Sequence, residues 1–276
     1  MSIGSINNVV SKKFDDKIDR ARAIYYWIAH NIEFDIKAAR TGNTAKNTPT
    51  EVLANRRGVG IGFASLFQDM CSSADIRCLT VDGFVKNNPQ QINEKDGEIN
   101  HSWAVVQLGQ SPEEWFYVDP AWGSGFADAE MKTFTKSFNE GYFFAEKPLF
   151  NLQHFPDNEA WKLGNAPKNK ADFFELPIIK GVAYELGLTS IAPKQGIIKT
   201  KPGKTVSFSY KLKAGAVISK LSIQTGDRKK IKTKDVNFRF SSGILSFENK
   251  FEEESTYPLT IFINGKEFIT YMMEVE

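Results

Sequence analysis

The chain is poor in cysteine, in net charge and in long apolar runs, and each shortage closes off a class of protein. Only Cys71 and Cys78 occur among 276 residues, too few for a disulfide framework and, by themselves, for a metal centre. The formal charge is +2, too small a surplus to build the footprint that nucleic acid requires, so no nucleic-acid partner is expected. No stretch approaches the roughly 18 to 20 apolar residues of a membrane span; the apolar run from Ala23 to Ala29 is far shorter. Met1 to Ser5 lack a basic segment followed by an apolar one, so no signal peptide is visible. The expected location is the cytoplasm, or the periplasm or cell surface if a leader has been trimmed. No cluster of His, Cys and carboxylates with ligand spacing is present, so neither a metal nor an organic cofactor is expected.

What is there is ordinary globular composition, 41% hydrophobic and 25% charged, at a length that predicts two domains. From about Asp16 to Asn31, Ile18, Ala21, Tyr25, Ile28 and Ile32 recur at steps of three and four, the stripe of an amphipathic helix. Lys37 to Asn47 are polar and aperiodic and predict a surface loop. Thr48-Pro49-Thr50-Glu51 carries the residues of a capping box with proline at the first helical position, predicting a helix to about Asn55. Gly58 is the expected left-handed cap that stops it. The next helix is predicted to begin at Gly60 to Gly62, because Phe63, Leu66, Phe67, Met70 and Ala74 form one apolar stripe. Gly58-x-Gly60-x-Gly62 follows a helix and lacks the G-x-G-x-x-G spacing, so it does not predict a nucleotide loop.

Strands follow over Ile76 to Val85, then His101 to Leu108 and Glu114 to Asp119 as a hairpin about Gly109 to Glu113. A symmetric hairpin puts Asp119 opposite Trp103 and diagonal to His101 on one face, since side chains alternate with period two. An imidazole and a carboxylate are thereby within reach of each other. The aromatic-rich segment from Met131 to Leu163 reads as the rest of this domain. Beyond about Pro177 short alternating strands take over, including Val206 to Tyr210, Lys220 to Gln224 and Leu259 to Ile263, and Asn264-Gly265 is a strong hairpin signal. The predicted organisation is an α+β domain at 1–176, helices on an antiparallel sheet, followed by an all-β sandwich of immunoglobulin type at 177–276.

Four phrases recur in a fixed order: Ala23-Ile24-x-x-Trp27-Ile28-Ala29, Gly58-Val59-Gly60-x-Gly62-Phe63-Ala64, Asn100-His101-x-Trp103 and Val118-Asp119-Pro120-x-Trp122-Gly123. In order and spacing they resemble the transglutaminase-like superfamily, over roughly Ala21 to Gly125. The tail from Tyr142-Phe143-Phe144 through His154-Phe155-Pro156 to Trp161 resembles its kyphoscoliosis-peptidase branch. The resemblance implies a papain-like Cys-His-Asp site in which His101 is the base, Asp119 the orienting carboxylate, and Trp103 and Trp122 face the substrate. It puts Gly60 at the position of the nucleophile, where the family carries cysteine. A thiolate suits that place, because unpaired amides and the positive end of the dipole stabilise it at a helix start. Ser65 does not substitute, lying five residues and about 7.5 Å further along the helix, and neither Cys71 nor Cys78 is near enough. The implied function is a catalytically inactive module that binds a protein or peptide. The alternative is a cysteine peptidase or protein-glutamine acyltransferase in which Gly60 replaces a natural cysteine.

Overall fold

A computed structural model describes residues 2–109, 114–128, 130–226 and 230–276. The tip of the predicted hairpin, 110–113, lies outside the described residues. Two compact units interleave in sequence: one comprises 1–84, 99–147 and 156–165, the other 85–98, 148–155 and 166–276. Among the described residues no helix is long and apolar enough to cross a membrane.

The first unit opens with a helix absent from the sequence expectations, α1 (Ile3–Lys13), capped by Ser2 and Ser5 and burying Ile6, Asn7 and Val10. Helix α2 (Lys17–Asn31) is capped by Asp16, whose carboxylate accepts from the Ile18 and Asp19 amides. Its buried stripe is Ala21, Ile24, Tyr25 and Ile28; Ile18, expected on that stripe, is 40% exposed because it lies in the first turn beyond the core. The expected loop after it contains a short helix, α3 (Ile36–Thr41), started by the Asp35 carboxylate on the Ala38 amide and ended by Gly42. It buries nothing, so no apolar period betrayed it.

Helix α4 (Pro49–Asn55) has the expected capping box, but its left-handed residue is Arg56 at φ 54°, not Gly58. Gly58 serves a different need: a Cβ there would stand 3.0 Å from Val52 Cγ2 and 3.2 Å from Asn47 Oδ1. Strands β1 (Glu33–Phe34) and β2 (Arg57–Gly58) pair in parallel just before α5 (Gly60–Ser73). Helix α5 buries the predicted Phe63, Leu66, Phe67, Met70 and Ala74, and α1 is tied to it by the Asn7 amide donating to the Met70 carbonyl.

Against α5 runs an antiparallel sheet of β3 (Arg77–Val85), β4 (His101–Gln107), β5 (Trp115–Val118) and β8 (Phe143–Ala145), in spatial order β8-β5-β4-β3. A two-stranded ribbon, β6 (Gly125–Ala127) with β7 (Phe134–Lys136), stands apart from it. Ala104 pairs with Val118 and Gly83 with His101. Continuing that register places Asp119 across from Trp103, as the symmetric hairpin requires.

The second unit holds two sheets, one ordered 178–179, 266–275, 255–263, 221–225, 232–235, the other 190–192, 205–211, 244–250, 239–241. Strand 197–200 joins the first sheet parallel to 266–275. Side chains from the two sheets meet face to face: Tyr210 packs edge-on to Phe268 at 5.2 Å and Phe208 edge-on to Tyr271 at 6.0 Å. This is the expected sandwich. Asn264 and Gly265, at φ 52° and 81°, make the predicted turn between Ile263 and Lys266. The segment 85–98 belongs to this unit. Lys86 donates from Nζ to the Phe173 carbonyl and stands 3.7 Å above that residue's ring. Burial pushes the Lys86 ammonium well below its ordinary pKa.

Candidate functional site

Asp119 directly follows β5, and its position is built by the sequence around it. Its backbone amide donates to the Tyr142 carbonyl at 3.0 Å, and its Oδ1 accepts from the amides of Ala121 and Trp122, each at 3.0 Å. Pro120 carries no N–H, so the chain turns over the carboxylate without leaving a donor stranded there. Gly123 then passes so close to α2 that a Cβ would stand 1.9 Å from the Tyr25 hydroxyl oxygen. The Tyr25 hydroxyl donates to the Asn139 carbonyl. Burial, reinforced by the Asp119 carboxylate, holds this phenol well above its ordinary pKa, so it remains a donor. The Asp-Pro-x-Trp-Gly phrase is thus one device that fixes a carboxylate at the end of the sheet and presents a glycine to α2.

His101 opens β4, 8% exposed, and Asp119 is fully buried. His101 Nε2 stands 2.7 Å from Asp119 Oδ2. An ionised carboxylate only accepts, so this bond assigns the ring proton to Nε2 and makes Nδ1 the acceptor nitrogen. Nδ1 is turned toward Gly60. A Cβ on Gly60 would lie 2.7 Å from Nδ1, 3.1 Å from Cε1 and 3.3 Å from the Ser102 amide nitrogen. The imidazole therefore crowds the place that the first carbon of a side chain at position 60 would take.

Gly60 is the first residue of α5, and its amide is among those a helix leaves without an intrahelical partner. The preceding Val59 amide donates to Asn47 Oδ1 at 2.7 Å, which pins the helix start although no side chain caps it. Gly62 lets that amide come near: a Cβ there would be 2.5 Å from Asn47 Oδ1. Asn47 was invisible to sequence reasoning because it sits at the end of a polar stretch. Tyr25 was read as core, and its hydroxyl went unnoticed.

Of the remaining expected site residues, Trp122 is half-exposed with its ring 5.2 Å from that of His101. Trp103 stacks at 6.3 Å from the same ring but is fully buried, so in this conformation it presents no surface to a ligand. The Ser65 hydroxyl donates to its own helix at the Gly62 carbonyl. Cys78 pairs with Val106, five residues along β4 from His101, which is about 16 Å at the rise of a strand. Burial and the neighbouring Cys78 push the Cys71 thiol well above its ordinary pKa. Neither cysteine is a nucleophile for this imidazole.

A helix start, an imidazole and a buried carboxylate, on one helix and two adjacent strands, make the frame expected from the four phrases. The family model of the transglutaminase-like superfamily matches residues 5–120. Residues 5–120 form a transglutaminase-like domain. The match extends upstream of the motifs to take in α1. Among curated proteins the chain is 35% identical over 203 residues to kyphoscoliosis peptidase of Mus musculus, covering 72% of this chain and 30% of that protein. To the Homo sapiens kyphoscoliosis peptidase it is 37% identical over 188 residues, 68% of this chain and 28% of the relative. To Lim and transglutaminase domain protein ltd-1 of Caenorhabditis elegans it is 27% identical over 214 residues, 71% and 28%. The chain spans less than a third of the length of these relatives. The kyphoscoliosis-peptidase resemblance drawn from the tail of this transglutaminase-like chain agrees with them.

Proposed function

We propose that this chain is a catalytically silent transglutaminase-like module that holds a protein or peptide segment beside Trp122, His101 and the α5 start without turning it over. The observation that carries the reading is the contact at Gly60, where the imidazole faces a Cα and no sulfur. A base and an orienting carboxylate without a nucleophile leave no group to attack a carbonyl. Loss of the nucleophile from such a triad lowers turnover by about a millionfold. The Gly60 amide remains as a donor that a bound carbonyl oxygen would accept from.

The intact His101–Asp119 bond favours one second reading. If the natural residue at 60 is cysteine, the same frame is a cysteine peptidase or protein-glutamine acyltransferase, attacking a peptide or glutamine carbonyl through a thioester. The peptidase named among the relatives bears on this reading, and the sequence of codon 60 in the gene separates the two. For the chain as it stands, peptide hydrolysis and amine incorporation should both be undetectable; turnover abolished by His101→Ala would sink the silent reading. A second experiment installs Gly60→Cys and follows alkylation by iodoacetamide at neutral pH. The new Cβ would lie 2.7 Å from Nδ1, so the imidazole must shift to admit it. With that adjustment the thiol should react about tenfold faster than free cysteine, because a helix start and a neighbouring imidazole lower its pKa. A thiol no faster than free cysteine would show that the pocket is vestigial.

A further inference from the structure

A groove of about 650 Å³ lies in the first unit, lined by residues of α3, β1, β2 and β7 and including none of Gly60, His101 or Asp119. Its charged lining is unequal: Lys37, Arg40, Arg57, Lys132 and Lys136 against Glu33 and Asp35, a local surplus of 5 − 2 = +3. The whole chain carries +2, so everything outside this groove nets 2 − 3 = −1. The surplus of basic over acidic side chains in this groove is thus larger than that of the chain as a whole.

The acidic residues are already engaged. Asp35 Oδ1 accepts from the Ala38 amide at 2.8 Å, and Glu33 pairs with Arg57 at 3.3 Å. Lys132 pairs with Glu130, and Lys136 Nζ donates to the Ala29 carbonyl at 2.9 Å. Lys37 and Arg40 are exposed and lie three residues apart on α3, so they project from one face. The groove also offers some apolar surface: the rings of Phe34 and Phe134, 6.1 Å apart, and Ile36 are only half-buried.

We propose that this groove binds an acidic segment of a partner protein, carboxylates against Lys37, Arg40 and Arg57 and an apolar side chain on Phe34 and Phe134. Charge complementarity selects an acidic partner, and rings with an aliphatic neighbour select one that also inserts an apolar group. A surplus of +3 is small for a nucleic-acid track, which typically neutralises several phosphates. The surface is separate from the His101 site, so it adds a partner to the chain whether or not that site holds one.

Fluorescence anisotropy on the full chain tests it, with a fluorescein-labelled peptide of phenylalanine flanked on both sides by glutamates. The same peptide with lysines for glutamates is the control, and a single-stranded oligonucleotide the competitor. The acidic peptide should bind, weaken as salt rises, and lose about tenfold or more in affinity to the double variant Lys37→Glu, Arg40→Glu. Both positions are exposed and the helix buries nothing, so the variant should keep its melting temperature; His101→Ala should leave binding unchanged. Equal binding of the lysine peptide, an unaffected double variant, or displacement of the peptide by lower concentrations of oligonucleotide than of unlabelled peptide would each overturn the proposal.

Discussion

The glycines that surround the His101 site in the first unit and those at the turns of the second are used in different ways. In the first, Gly58, Gly60, Gly62 and Gly123 have no left-handed φ, yet a Cβ on each would stand within 3.0 Å of another side chain. In the second, Gly187, Gly203, Gly215, Gly226, Gly243 and Gly265 all have positive φ, and at Gly215 and Gly265 a Cβ would meet nothing. The four beside the site bring elements together around an imidazole and a carboxylate, and those six turn the chain; elsewhere each unit holds both kinds, with Gly42 and Gly164 left-handed in the first and Gly97 and Gly196 at close approaches in the second. The aromatics divide as well, for all five tryptophans lie in the first unit. Turn glycines serve a fold that many sequences make, whereas approach glycines mark where the backbone must come close to something in particular.

The sharpest way to break this contrast is Gly123→Ala. Its Cβ would enter the Tyr25 hydroxyl, which is buried and bonded to the Asn139 carbonyl, so relaxation is blocked. A loss of about 3 kcal/mol is expected, at the upper end of overpacking, read from the urea transition followed by tryptophan fluorescence. A change below about 1 kcal/mol would mean that Tyr25 swings away freely. Gly265→Ala should lose about 1 kcal/mol through the left-handed backbone alone, seen as faster amide exchange along 255–275. An unaltered hairpin there would remove the turn side of the comparison. The smallest effect, and of opposite sign, belongs to Gly4→Ala. Gly4 lies inside α1 with nothing near its Cβ and no positive φ, so alanine should gain about 0.5–1 kcal/mol from helix propensity. A loss there would show that constraint on glycine in the first unit reaches α1, beyond the surroundings of the site.

Much of the architecture was legible from residue patterns. Helix α5 followed from a clean apolar stripe, α4 from its capping box, and the last hairpin from Asn264-Gly265, because each rests on interactions a few residues apart in sequence. The hairpin register that sets Asp119 across from Trp103 followed from folding the two strands symmetrically about Gly109 to Glu113, and alternation then put Asp119 and His101 on one face. Helix α3 escaped because it buries nothing, and α1 because its three buried residues were too sparse to stand out. The role of Gly58 was misread for a physical reason: a glycine after a helix signals either a left-handed cap or a close approach. Only the position of Asn47 and Val52 distinguishes the two.

By itself the sequence determined the class of the chain: a transglutaminase-like core with an imidazole and a carboxylate in order, no thiol at the helix start, and a β-rich second half. These are matters of residue identity and short period, which survive any packing. Tertiary structure alone decided that His101 Nδ1 stands 2.7 Å from where a Cβ on Gly60 would go, that Trp103 is sealed while Trp122 is open, and that five cations from three separate segments line one groove. Each of those facts joins atoms far apart in sequence, and no local pattern encodes a distance across the core.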